Sequence, residues 1–87
     1  MNYRTSPETL MQKVGEESVI LDLRGGTYFG LDPIGTRVWE TLAAGSSMEA
    51  LLVQLTSEYE VPIEALRNDV ETLIADLLSH GLLTRGE

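Results

Sequence analysis

The sequence predicts an α+β domain, a three-stranded antiparallel meander followed by three helices. Three observations carry this. Between Glu8 and Leu31 apolar residues recur at every second position, the period of half-buried strands. From Pro33 to Ser79 they recur at every third or fourth, the period of amphipathic helices. The two patterns follow one another without interleaving, which separates α+β from alternating α/β architectures. The length of 87 residues suffices for one domain with one core, taken as residues 1–87. Residues 1–7 and 85–87 are expected to be loose.

The clearest stretch is Ser18 to Asp32. Val19, Leu21 and Leu23 alternate with Ile20 and Asp22, giving a second strand over Val19–Leu23. Phe29 and Leu31 alternate with Tyr28 and Gly30, giving a third over Thr27–Leu31. Arg24-Gly25-Gly26 joins them, and Gly-Gly supplies the positive φ a tight hairpin needs. Before them, Leu10, Gln12 and Val14 alternate with Met11 and Lys13, placing a first strand over Glu8–Val14. Gly15-Glu16-Glu17 connects it to the hairpin, and short turns throughout make a meander.

Asp32-Pro33 closes the sheet and opens a helix, with Asp32 as N-cap and Pro33 at the first helical position. Ile34, Val38 and Leu42, with Trp39 beside them, form its apolar stripe, and Gly45 stops it. Ser46-Ser47 starts the next helix, and Ser46 with Glu49 has the S-x-x-E spacing of a capping box. Leu51, Leu52 and Leu55 are its buried face, and Val61-Pro62 breaks it. The third helix is the longest, Ile63 to Ser79, with Leu66, Val70, Leu73, Ile74, Leu77 and Leu78 at helical spacing and Gly81 as stop. Leu82-Leu83-Thr84 runs back as a short apolar tail.

Composition removes several function classes. There is no cysteine, hence no disulfide, thiolate nucleophile or thiolate metal site. The single histidine, His80, cannot assemble a histidine metal site alone. No metal or cofactor is expected. The N-terminus lacks a signal-peptide pattern, and no apolar run approaches the ~20 residues of a membrane span; a cytoplasmic protein without a membrane partner is expected. The net charge of −8 repels phosphates and favours a neutral or basic partner.

No catalytic constellation emerges, and no catalytic residue is expected. Ser79 and His80 are helical neighbours in sequence and do not face each other, so they are not a nucleophile and its base. His80 sits where a helix C-terminus favours it. Glu16-Glu17 and the pair Glu58, Glu60 lie in turns or at helix ends and read as solvated surface. Gly25-Gly26 leads into a strand and lacks a phosphate-loop pattern. A small enzyme would need groups supplied by a cofactor or a second chain.

Three helices beside a small meander also describe a winged helix-turn-helix-like fold, which raises a DNA-binding regulator as an alternative. The third helix would then read DNA. It carries Glu64, Asp69, Glu71 and Asp76 against the single Arg67, the wrong sign for phosphate neutralisation. Nucleic acid is therefore not an expected partner. Protein or peptide binding remains. The third strand is an edge of the meander, and an edge accepts an added strand or a second copy of itself. Tyr28, Phe29, Gly30 and Leu31 form the candidate docking edge. On a helical wheel, Leu66, Val70, Leu73 and Leu77 form the facing stripe, flanked by Asp69 and Asp76 on one side and by Arg67 and Glu71 on the other; Arg67, Asp69, Val70, Leu73, Asp76 and Leu77 are the candidate contacts from this helix. A groove between them would have an apolar floor and charged rims.

Leu21-Asp22-Leu23, Tyr28-Phe29-Gly30-Leu31-Asp32, Gly35 with Val38-Trp39, Tyr59, Asp69-Val70 and Gly81-Leu82-Leu83 occur in the order and spacing of the PqqD-like family. The sequence resembles these RiPP precursor peptide recognition elements over roughly Gln12 to Leu83. The resemblance implies the same three strands and three helices. It implies that the chain binds the leader of a ribosomally made precursor as a strand added to the third strand, against the third helix. A free-standing chain of this length is most similar to the leader-binding protein of lasso peptide biosynthesis. That implies a leader of Tyr-x-x-Pro-x-Leu type and a separate cysteine-protease-like leader peptidase as partners. The alternative within the family is the peptide chaperone of pyrroloquinoline quinone biosynthesis, which serves a radical enzyme.

Overall fold

A computed structural model describes residues 2–86. The order of elements is β1 (Asn2–Thr5), β2 (Thr9–Val14), β3 (Glu17–Asp22), β4 (Thr27–Leu31), α1 (Pro33–Ala43), α2 (Met48–Tyr59), α3 (Ile63–Ser79) and β5 (Leu83–Gly86). β2, β3 and β4 are the three strands of the expected meander, antiparallel in that order. The helices follow as read from the sequence, and the α+β class holds.

The chain ends depart from expectation. β1 pairs with β5 in a separate two-stranded antiparallel sheet, Tyr3 opposite Arg85 and Thr5 opposite Leu83. The Ser6 amide donates to the Leu82 carbonyl at 2.9 Å, continuing the tie. The expectation of loose segments is thus corrected for Asn2–Thr5 and Arg85–Gly86, while Met1 and Glu87 lie outside the described residues. The cause is burial at Leu82 and Leu83, which anchors the tail in the core and holds β5 where β1 can reach it. The guanidinium of Arg85 lies over the Tyr3 ring, 5.8 Å from its centroid.

The sheet uses its two faces unexpectedly. On β3 the helix-facing residues are Ser18 and Ile20, both buried. Val19 and Leu21, the more apolar phase, face away with Leu10 of β2, and Leu23 falls just beyond β3. On β2 it is Met11, not Leu10 or Val14, that packs against the core, and Val14 is 68% exposed. β4 follows expectation, with Phe29 and Leu31 inward. Polar Ser18 is accommodated because α1 presents Thr36 to it: the two buried hydroxyls are 2.8 Å apart. Thr36→Val is expected to cost about 1–3 kcal/mol by orphaning the Ser18 hydroxyl. The double variant with Ser18→Ala should recover most of that loss in urea denaturation. Additive losses would show that the pair is not coupled.

Asp32 caps α1 as read, accepting from the Gly35 amide at 2.7 Å. The capping box at α2 does not form. Ser47, one residue later than Ser46, is the N-cap and accepts from the Ala50 amide. Glu49 instead receives both guanidinium nitrogens of Arg67 from α3. α2 ends at Glu60 in the left-handed region, ahead of Pro62. At the far end of α3, Gly81 has φ +72°, and a Cβ there would stand 2.9 Å from Arg24 Nη2. Glycine lets Arg24 donate to the Gly81 carbonyl at 3.0 Å while holding Asp22, tying the β3–β4 turn to the end of α3. The core joins Ile20 and Leu31 of the sheet to Val38, Trp39, Leu52, Leu55, Leu66, Val70 and Leu77 of the helices.

Three carboxylates share one electrostatic situation. Hydrogen bonds from Arg24, Arg67 and Arg37 hold Asp22, Glu49 and Glu58 respectively below the usual carboxylate range. A group with a lowered folded pKa binds fewer protons folded than unfolded, so its stabilisation is present above the unfolded value and lost on acidification. The urea midpoint should therefore fall as pH drops through and below about 4, and added salt should shrink the change. A midpoint flat through that window would contradict these pairings.

Candidate functional site

β4 is an edge of its sheet, so one side of its backbone is unpaired by any strand among the described residues. Asp32 alone separates β4 from α1, so the first turn of α1 stands directly beyond the strand's end. Gly35 permits that approach: a Cβ there would lie 3.1 Å from Asp32 Oδ1 and 3.3 Å from Leu31 Cδ2. α3 supplies the opposite wall through Leu66, Asp69, Val70 and Leu73, one face at i, i+3, i+4 and i+7. Between these walls lies a cleft of about 400 Å³, closed on the sheet side by Gly30, Leu31 and Asp32 and at its end by Ile34 and Gly35.

The cleft floor is apolar. Leu31, Leu66 and Val70 are buried beneath it, and Leu73 and Ile34 are half-buried along it. Asp69 stands exposed on the rim with no ion-pair partner among the described residues. An apolar trough beside an open strand edge suits an extended chain: backbone groups pair with the strand and alternate side chains enter the trough. A larger depression of about 890 Å³ lies between β1 and the α1–α2 connection and shares no residue with the cleft. It lacks the apolar floor and the free β4 edge.

Of the residues singled out by sequence, Gly30, Leu31, Asp69, Val70 and Leu73 meet in this cleft. The others sit elsewhere. Tyr28 projects from the outer face of the sheet, 77% exposed. Phe29 turns inward and meets the His80 ring edge-on, with centroids 5.2 Å apart. Arg67 is engaged with Glu49 on the α2 side of α3. Asp76 lies further along α3, its carbonyl accepting from the His80 amide. Leu77 is 0% exposed and belongs to the core. Sequence reading missed Asp32, Ile34 and Gly35, and it placed Leu66 on the facing stripe without choosing it as a contact. The available signal was the one-residue link at Asp32, which forces the first turn of α1 against the end of the strand.

Sheet, helices and cleft together define a small α+β domain with an open strand edge beside its longest helix. The family described as coenzyme PQQ synthesis protein D (PqqD) matches residues 17–83, and the chain belongs to that family. No curated protein matches the chain. Two solved structures are similar over nearly the whole length. One is TbiB1 in complex with the TbiA(beta) leader peptide, 30% identical with a TM-score of 0.85, covering 97% of this chain and 98% of that one. The other is lasso peptide synthetase B1 complexed with the leader peptide, 28% identical with a TM-score of 0.86, covering 97% and 99%.

Proposed function

We propose that this chain is a recognition element that binds the leader of a ribosomally synthesised precursor peptide of lasso type. The observation that carries this reading is the unpaired β4 edge running beside an apolar cleft walled by α3. The leader adds as a fourth strand to β4. Its backbone bonds hold register, and its inward side chains fill the trough over Leu31, Val70 and Leu73. The unpaired carboxylate of Asp69 and the net charge of −8 favour a basic or neutral segment over an acidic one. The likeness to two leader-bound structures over the full chain supports the same occupant.

The protein is a presenting partner rather than a catalyst. It works in the cytoplasm and hands the bound leader to a separate cysteine-protease-like peptidase. A leader with the Tyr-x-x-Pro-x-Leu pattern suits the site because proline is tolerated on an edge strand. The description of the family favours one second reading, a peptide chaperone for pyrroloquinoline quinone synthesis with a radical enzyme. Both readings place a peptide on the same edge. The test is a titration of a labelled synthetic leader peptide that carries the Tyr-x-x-Pro-x-Leu pattern. Saturable one-to-one binding, with peptide mass unchanged after incubation, is expected. Absence of binding, or a change in mass, would overturn the reading.

A further inference from the structure

Gly30 is in the middle of a strand where the fold has no use for glycine. Its φ is not positive, and a Cβ built on it meets no atom within 4 Å. Glycine weakens a strand, and inside one it marks a place that another chain approaches. Gly30 borders both sides of the sheet. Its backbone lines the cleft, and its missing side chain belongs to the outer face, because it pairs with Val19, whose neighbour Ile20 faces the core. On that outer face lies a hollow of about 460 Å³ lined by Leu10, Gln12, Val19, Leu21, Tyr28 and Gly30. Its lining is apolar apart from the Gln12 amide and the Tyr28 hydroxyl. The rows across the sheet run Gln12–Val19–Gly30 and Leu10–Leu21–Tyr28, and each ends at the open β4 edge.

We propose that Gly30 is a specificity notch on the outer face of the sheet, filled by one large apolar or aromatic side chain of the leader strand that pairs with β4. This rests on the leader-binding reading and extends it to the leader's other face. A strand added to β4 directs alternate residues into the cleft and the intervening ones outward. The outward residue beside Gly30 continues the Gln12–Val19–Gly30 row. Its neighbours are Tyr28 and Val19, and the space a Cβ at position 30 would take is free for it. A large side chain laid across a glycine on the adjacent strand is a favourable packing in sheets. The leader is then read on two faces, and recognition through the cleft alone would leave this residue unconstrained.

The test uses a displayed library of random 16-residue peptides selected on the full chain. Peptides enriched on the wild type should carry apolar residues of one parity for the cleft. They should also carry one large apolar or aromatic residue of the opposite parity. Changing that residue to Ser in a synthetic consensus peptide should weaken binding about tenfold. Gly30→Val fills the notch, and there the preference for the large residue over Ser should vanish or reverse. Val19→Thr, a near-isosteric change in the floor of the same notch, should reduce the preference without depending on how Gly30→Val folds. A consensus with no opposite-parity preference, or a preference unaltered in both variants, overturns the notch and leaves leader binding standing. Failure of the wild type to enrich any consensus overturns leader binding, and the notch with it.

Discussion

Leu73→Asp is expected to weaken leader binding more than about a hundredfold while the domain stays folded. Leu73 is half-buried at the edge of the core and lines the cleft, so peptide binding completes its burial. Losing that apolar contact costs about 1.5–3 kcal/mol. The new carboxylate must also be stripped of water when the peptide arrives, a penalty of several kcal/mol for an unpaired charge. At about 1.4 kcal/mol per tenfold, the sum exceeds two decades in Kd. In the free protein the new side chain remains hydrated, and its repulsion from Asp69 one turn away costs only a few tenths of a kcal/mol. Fluorescence polarisation with a labelled leader reads the affinity, and a thermal melt reads the fold. An unchanged Kd in a folded Leu73→Asp variant would remove the cleft from consideration.

Helix boundaries were legible because their signals are local. Asp32-Pro33 and Gly45 delimit α1, while Pro62 and Gly81 bracket α3, with no need of tertiary information. The sheet faces were less legible. Alternation shows that β2 and β3 each have two phases, but not which phase meets the helices. The hydrogen bond between Ser18 and Thr36 makes the less apolar phase of β3 the inner one. The terminal ribbon was invisible for a related reason. Each of its strands is four residues long and largely polar, and the pairing joins opposite ends of the chain, which no periodicity records. At the site, the i, i+3/i+4 stripe of α3 placed Asp69, Val70 and Leu73 on the cleft. It did not reveal that Arg67 would be engaged by Glu49.

The same stripe contains its own internal control in Leu77. Sequence spacing groups Leu77 with Leu73, yet it is fully buried and lines no part of the cleft. Leu77→Ala is therefore expected to destabilise the domain by about 2–5 kcal/mol through lost burial and the cavity left behind. For a domain of this size that lowers Tm by roughly 10 °C or more, against a total stability of the order of 5–15 kcal/mol. Measured at a temperature where the variant is folded, its leader affinity should stay within about threefold of wild type, since no direct contact is removed. Leu73→Asp and Leu77→Ala then move opposite observables. The residue facing the cleft changes Kd with a small effect on Tm, and the residue one turn further along changes Tm with a small effect on Kd. A large affinity loss in Leu77→Ala at unchanged stability would mean that α3 presents a different face to the peptide, rotated from the one that lines the cleft.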